Sequence, residues 1–245
     1  LNWIPKWIGK IYCKLWAAYE EKLFNFEETQ NICRKYTRNY LSELRKAQAL
    51  FVFEKMGRKK KYRLIPPNLY TYSIAHNIDM GWLKQGAYAN LLLKVFMLLK
   101  EEFDLEMLSL GVYGSVARNQ AKNESDLDLF LVFKEIEGTT GERIDLLSKI
   151  EHTELIKNEI EFLHQNTYFP RLSFYPRKVT ELRMSFFTID LAFDLKIIYD
   201  MNIISKFLDT IKKKIEEKGI TRKYLDEERY YLDLNLTMGE IFEFE

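Results

Sequence analysis

Cysteine is nearly missing from this chain of 245 residues, which has only Cys13 and Cys33. Two such positions give no disulfide framework and no metal-ligand spacing, so both read as reduced thiols in a helical core. Histidine is as scarce: His76, His152 and His164 are too dispersed for a compact metal site, and packing or surface roles suit them better. No repeat or low-complexity segment occurs. Long apolar runs are lacking too: the longest, Tyr88–Leu99, contains Lys94 and falls short of the about 20 residues that cross a bilayer. Near the start, Trp3, Ile4, Trp7 and Ile8 are interrupted by Lys6, Lys10 and Lys14. That is an amphipathic helix rather than a signal peptide. The expectation is a cytoplasmic protein with no membrane partner.

An excess of one charge sign is missing overall, since 37 Lys/Arg against 36 Asp/Glu leave a net +1. Any attraction to nucleic acid must therefore be local. It is local: residues 1–65 hold fifteen Lys/Arg against six Asp/Glu, and the remainder is acidic. A basic module joined to an acidic remainder implies two jobs. Hydrophobic residues at 47% and charged residues at 30% describe an ordinary globular chain of one large or two modest domains.

The basic module has a helical rhythm. Ile11–Phe24 reads as a helix with Ile11, Leu15, Ala18 and Tyr19 inward. Asn25 is placed to cap a second helix, Phe26–Cys33, with Glu27 and Glu28 in its first turn. Thr37 would cap a third, Arg38–Gln48, with Leu41 and Leu44 inward and Arg38, Asn39, Ser42, Arg45 and Lys46 outward. Next comes a strand, a tip at Gly57 carrying Arg58, Lys59, Lys60 and Lys61, and a returning strand. Three helices and a basic hairpin resemble a winged helix-turn-helix domain. That resemblance implies double-stranded DNA or RNA held by helix 37–48 and the Arg58–Lys61 tip, through major-groove and phosphate contacts. Dimerisation through the same face, giving a homodimer, is the alternative use.

Pro66-Pro67 ends the module. The expected divisions are 1–66 for the winged helix-turn-helix, 67–104 for a helical connector, 105–200 for an α/β unit and 201–245 for a C-terminal helix and tail. Within the α/β unit, LSLGVYGSVARNQAKNESDLDLFLVF (residues 108–133) reads as strand, tight turn, short helix, loop and strand. Arg143–Gln165 reads as one long helix, Arg171–Tyr175 as a short strand, and Thr188–Tyr199 as strand, turn and strand. Residues 201–218 form an amphipathic helix. The RKYLDEERYYLDL segment reads as an exposed turn or helix. Aromatic residues read as core and sheet packing, with no base-stacking run.

Gly114-Ser115, ten residues and then Asp126-Leu127-Asp128 carry the chemistry. Carboxylates at i and i+2 on a strand share a face. A close carboxylate pair suits Mg²⁺, which commonly takes one or two carboxylates plus substrate phosphates. A Gly-Ser turn that opens a helix presents backbone N–H groups to an anion. Gly114, Ser115, Arg118, Ser125, Asp126 and Asp128 together resemble the signature of the DNA polymerase beta-like nucleotidyltransferase superfamily, in its minimal type. Phe187–Asp200 and Met238–Ile241 also look like later parts of such proteins.

The resemblance implies an α+β fold: the winged helix-turn-helix, then a mixed sheet flanked by helices, then a C-terminal helical segment. It implies an NTP substrate at Gly114, Ser115, Arg118 and Ser125, with Mg²⁺ or Mn²⁺ held by Asp126 and Asp128. Active members carry a third carboxylate on the next strand, where this chain has Ser173. Asp190 and Asp194, expected on the following hairpin, are the substitutes, with Asp190 taken as the catalytic candidate and Glu181 after them. Two functions follow from the resemblance. One is a Mg-dependent nucleotidyltransferase that moves a nucleoside monophosphate to a hydroxyl and carries a nucleic-acid-binding module. The other is a DNA-binding transcriptional regulator whose inactive nucleotidyltransferase-like domain senses nucleotide or dimerises. A toxin–antitoxin or partner-binding component is a third, blander reading.

Overall fold

The computed structural model describes residues 3–226, 229–237 and 240–244. Helix α1 spans Lys6–Tyr19 and starts five residues before the expected boundary, because Pro5 opens it. Its fully buried residues are Ile8, Tyr12 and Leu15, with the predicted Ile11 and Tyr19 partly buried against the same core, while the predicted Ala18 is exposed. Helix α2, Phe26–Cys33, has the expected cap: Asn25 Oδ1 accepts from Glu28 N at 2.9 Å, and Glu28 Oε2 accepts from Asn25 N at 2.7 Å. Helix α3 runs Thr37–Lys46, and here the predicted cap is corrected. Tyr36, in the left-handed region at φ 62°, precedes the helix, while Thr37 lies inside it and donates to Arg34 O.

Strands β1 (Leu50–Met56) and β2 (Lys59–Leu64) form the expected antiparallel hairpin. A third, one-residue strand borders it, since Phe24 and Tyr62 exchange backbone hydrogen bonds at 3.1 and 2.7 Å.

The connector holds α4 (Pro67–Ala75) and α5 (Ala89–Phe103), and most of α5 is buried. β3 (Met107–Tyr113), α6 (Gly114–Ala117) and β4 (Leu127–Phe133) reproduce the expected strand–turn–helix–loop–strand. The predicted long helix is instead two. α7 (Thr140–Ser148) and α8 (Glu154–Gln165) are separated by a 3₁₀ turn, where Thr153 caps the second by accepting from Ile156 N. β5 (Leu172–Lys178) is longer than expected.

Thr188–Tyr199 is not strand–turn–strand. It divides into α9 (Phe186–Asp194) and β6 (Lys196–Asp200). Ser185 and Thr188 form a capping box that starts α9, and this local bonding overrides the strand-like aromatic run. α10 (Ile204–Lys218) buries Ile204, Leu208, Ile211 and Ile215. The segment after it forms a hairpin of β7 (Thr221–Tyr224) and β8 (Tyr230–Asp233), not a helix. Met238 and Gly239, part of the proposed closing motif, lie outside the described residues.

The central sheet has the order β5-β4-β3-β6. β4 and β5 are parallel, and β3 is antiparallel to both β4 and β6. Alternation along β4 sends Leu127, Leu129, Leu131 and Phe133 into the main core with α5, and Phe130 and Val132 under α9 and α10. Asp128 therefore shares the α9 side of the sheet.

The N-terminal module is joined tightly to the rest. Gly86 lies against β1, where a Cβ would stand 2.4 Å from Val52 O. Arg63 of β2, Lys94 of α5 and Glu159 of α8 are 3%, 4% and 1% exposed, and they meet in one ion cluster with Glu21. No helix among the described residues is long and apolar enough to cross a membrane.

Candidate active site and basic grooves

β3 ends at Tyr113, which pairs in register with Asp128 of β4. The chain turns there through Gly114, at φ +71°, and a Cβ on Gly114 would stand 2.2 Å from Asp128 Oδ2. Glycine is thus required twice over, by the backbone and by the carboxylate pressed against it. Ser115 follows in the first turn of α6, and its carbonyl accepts from Gln120 N at 2.9 Å. The Ser125 side chain acts within its own loop. Its Oγ accepts from Lys122 N at 2.8 Å and closes the turn that delivers Asp126. Tyr88 braces the same loop, donating to Lys122 O and Ser125 O at 3.2 and 3.1 Å.

Asp126 is exposed and Asp128 half-buried. Burial raises the Asp128 carboxyl above its ordinary value, and the neighbouring Asp126 charge adds to this, while a hydrogen bond with Ser173 and the charge of Arg118 oppose it. Ser173 stands directly opposite Asp128 on β5. It also bonds Tyr113, whose phenol is pushed up to about 12 by burial and by the Asp128 charge. The position expected for a third acid is therefore filled by a hydroxyl shared between a carboxylate and a phenol.

The substitute acids are engaged elsewhere. Asp190 and Asp194 lie on α9, not on a hairpin. Asp190 accepts from Arg222 Nη2 at 2.6 Å and from Tyr230 OH at 2.8 Å. Asp194 pairs with Arg222 Nη1 at 2.8 Å and with Arg118 Nη1 at 3.2 Å. Glu181 is held by Arg143 at 2.8 Å. No group of three or more His, Cys, Asp or Glu residues fit to hold a metal occurs among the described residues. Asp126, Asp128 and the Ser173 hydroxyl are hard oxygen donors, a set that suits a divalent cation completing its shell with nucleotide phosphates.

An aromatic wall continues the site along β4 and β5, and the sequence reading missed it. Tyr113 meets Phe187 edge-on at 5.4 Å, Phe187 meets Tyr175 at 4.4 Å, and Tyr175 stacks on Phe130 at 5.9 Å. These residues are spread over four elements, so no local run could reveal them.

Residues 94–176 match the family model described as Polymerase beta, Nucleotidyltransferase. The site lies in a nucleotidyltransferase-like domain. Among solved structures, this chain is similar to a toxin–antitoxin crystallised with AMP-PNP, at 8% identity and a TM-score of 0.31, over 51% of this chain and 90% of that one. It is similar as well to a mutant of the toxin–antitoxin MntA-HpeT, at 7% identity and a TM-score of 0.30, over 51% and 89%. Likeness of that degree says nothing of activity. A search of curated proteins finds no match.

The basic residues of the N-terminal module divide between two grooves. Arg38 and the Arg58–Lys61 tip line one of 640 Å³, together with Glu27 and Glu54. Ser42, Arg45 and Lys46 line another of 450 Å³, with Lys84. Arg38, Asn39, Ser42, Arg45, Lys46, Arg58 and Lys59 are exposed as expected. Lys60 and Lys61 are half-buried, Lys61 pairs with Glu54 at 2.9 Å, and Lys46 pairs with Glu43 at 2.7 Å. The backbone N–H of Lys84 donates to Asn119 Oδ1 at 2.9 Å, which links the second groove to the turn after α6.

Proposed function

We propose that this protein transfers a nucleoside monophosphate from an NTP to a hydroxyl acceptor, and that residues 1–66 act as a winged helix-turn-helix holding nucleic acid. The observation that carries the transferase reading is the fit of Gly114 against Asp128, which brings the Gly-Ser turn beside one of the two carboxylates. Gly114 and Ser115 would receive the triphosphate, with Arg118 one turn on. Asp126 and Asp128 would hold Mg²⁺ or Mn²⁺, which would neutralise charge on the phosphate oxygens when bound. The acceptor oxygen forms a bond to the α-phosphorus, the bond to the β-phosphate oxygen breaks, and pyrophosphate leaves with that electron pair. The hydroxyl proton goes to water. What the chain contributes is position: Asp128 on β4 and the turn that follows β3 are held by neighbouring strands of one sheet, as such a displacement requires.

Release of Arg118 is part of this proposal. In the structure it donates to Asp194 and to Gln120. An incoming phosphate competes with Asp194 for the same guanidinium.

Ser173 supports a second reading, a nucleic-acid-binding regulator whose domain holds nucleotide without transferring it. Positioned base assistance is worth about 10²–10⁴-fold in rate. Incubating the chain with α-labelled NTP, Mg²⁺ and either RNA oligonucleotides or protein acceptors separates the two. Label transfer supports the transferase. Metal-dependent NTP binding with no transfer supports the quiet domain, and no binding removes both.

A further inference from the structure

We propose that Arg222, on the C-terminal hairpin, is a positioning residue for NTP: by neutralising Asp194 it lets Arg118 pass to the incoming phosphate. The inference rests on the transferase reading and adds to that site a second arginine, which acts through the first.

Asp190 and Asp194 stand four residues apart on α9, so their carboxylates share one helix face. Like charges at that spacing repel. Arg222 spans both: its Nη2 meets Asp190 Oδ1 at 2.6 Å and its Nη1 meets Asp194 Oδ1 at 2.8 Å. A single guanidinium cannot balance a pair of carboxylates, and Arg118 takes up the remaining charge, with Nη1 3.2 Å from Asp194 Oδ2. The two arginines therefore hold different oxygens of the same carboxylate.

They are not held alike. The Arg222 side chain is 4% exposed, and its guanidinium lies 4.6 Å over the Phe193 ring and 4.2 Å over the Tyr230 ring. Tyr230 is itself fixed, donating to Asp190 Oδ2 at 2.8 Å. Arg118 is 21% exposed, makes the longer bond to Asp194 and lies 5.6 Å from the Tyr230 ring. Its charge also reaches the other way, lowering the Asp128 carboxyl against the larger effect of burial. Arg118 is thus the looser member of the pair and the one that faces the Gly114–Asp128 site.

Electrostatics gives Arg222 its role. When phosphate draws Arg118 away, Arg222 stays behind as the partner of both acids. Without Arg222, two uncompensated and partly buried carboxylates would hold Arg118 harder, because a removed competitor leaves the full attraction to the cation that remains. Phosphate would then have to take Arg118 from a deeper trap. Loss of Arg222 should therefore weaken NTP binding, and loss of Asp194 should strengthen it. Direct attraction of phosphate by Arg222 would give the same signs, but it would persist in a chain without Arg118.

The test is calorimetric titration of the full chain, with Mg²⁺ and whichever common ribonucleoside triphosphate binds the unmodified chain most tightly. Arg222→Gln is expected to weaken binding about five- to tenfold, and adding Asp194→Asn to it should restore affinity to within about twofold. Asp194→Asn alone leaves Arg222 on Asp190; it is expected to tighten binding about threefold, and it keeps the test valid if Arg222→Gln fails to fold. In an Arg118→Gln chain, which should itself bind more weakly, neither further substitution should move the affinity beyond about twofold. That arm separates positioning from packing and from direct attraction, since both of those act without Arg118. Absence of metal-dependent binding in the unmodified chain would count against the transferase reading itself. With that binding intact, this proposal is overturned by an Asp194→Asn chain that binds no tighter. It is overturned equally by a folded Arg222→Gln chain of unchanged affinity, or by an Arg222→Gln effect that survives in the Arg118→Gln chain.

Discussion

Arg63 Nη2 donates to Glu159 Oε2 across 2.9 Å, and the contact ties the basic hairpin to helix α8 of the nucleotidyltransferase-like domain. Lys94 Nζ reaches the same oxygen at 2.8 Å, and the Arg63 guanidinium lies 3.8 Å over the Phe162 ring. Two cations on one buried carboxylate leave little freedom between the two modules.

Removing that carboxylate leaves two buried cations with only the more exposed Glu21 carboxylate as their partner among the described residues. Glu159→Ala is expected to destabilise the fold by about 3–5 kcal/mol, read as a shift of the urea midpoint. The pH dependence has a definite sign. Burial would push Glu159 up, but the charges and hydrogen bonds of Arg63 and Lys94 outweigh it and hold the carboxyl below its ordinary value of 4.5. Its stabilisation is present above about pH 4.5 and is lost as pH falls towards the folded-state value, because the unfolded chain binds the proton first. Glu159→Gln should flatten the stability curve in that acidic window and leave its slope near neutrality alone.

Gly114→Ala meets two obstacles, a left-handed φ and the Asp128 carboxylate. A cost of about 1–3 kcal/mol in thermal unfolding is expected. NTP affinity should fall further than stability does, since Asp128 must swing aside. A variant with unaltered melting and unaltered NTP binding would show that the turn has room for a side chain after all.

Ser173 offers a gain-of-function test. It faces Asp128 across parallel strands, so Ser173→Asp replaces a neutral hydroxyl donor with a charged carboxylate at the same register. Mn²⁺ affinity, followed by paramagnetic relaxation of water, is expected to rise. Any transferase rate should rise with it, up to the about 10²–10⁴-fold worth of a positioned base. Equal or weaker Mn²⁺ binding would mean that Asp126 and Asp128 do not form the metal pair.

The basic tip gives a salt-dependent prediction. Arg58→Ala with Lys59→Ala should weaken duplex binding and make the slope of log K against log salt shallower, by about 0.9 for each phosphate no longer neutralised. Unchanged slope and affinity would assign the exposed cations to solvent or to protein contacts.

Legibility in the sequence followed the range of the forces involved. Asn25 with Glu28, and Gly57 in its hairpin, act within a few residues, and both elements formed where expected. The meeting of Gly114 with Asp128 was readable because a strand, a tight turn and a returning strand bring the turn beside the start of the second strand; Asp126 itself precedes β4. Ser173 was readable as a strand position. The α9 helix was not: its aromatic and β-branched run reads as a strand, and the decisive signal was the short capping pair Ser185 and Thr188. The fate of Asp190 and Asp194 was out of reach for another reason. Their partner Arg222 comes from a hairpin about thirty residues on, and ion pairing at that range leaves no local pattern. The aromatic wall and the Arg63–Lys94–Glu159 cluster are likewise assembled only by tertiary packing.

The most direct measurement is calorimetric titration of an NTP into the full chain with and without Mg²⁺, repeated with Asp126→Asn and Asp128→Asn. The expected result is metal-dependent binding that either substitution abolishes while the thermal transition stays cooperative. Tight NTP binding that ignores both the metal and the two aspartates would contradict the assignment of the site.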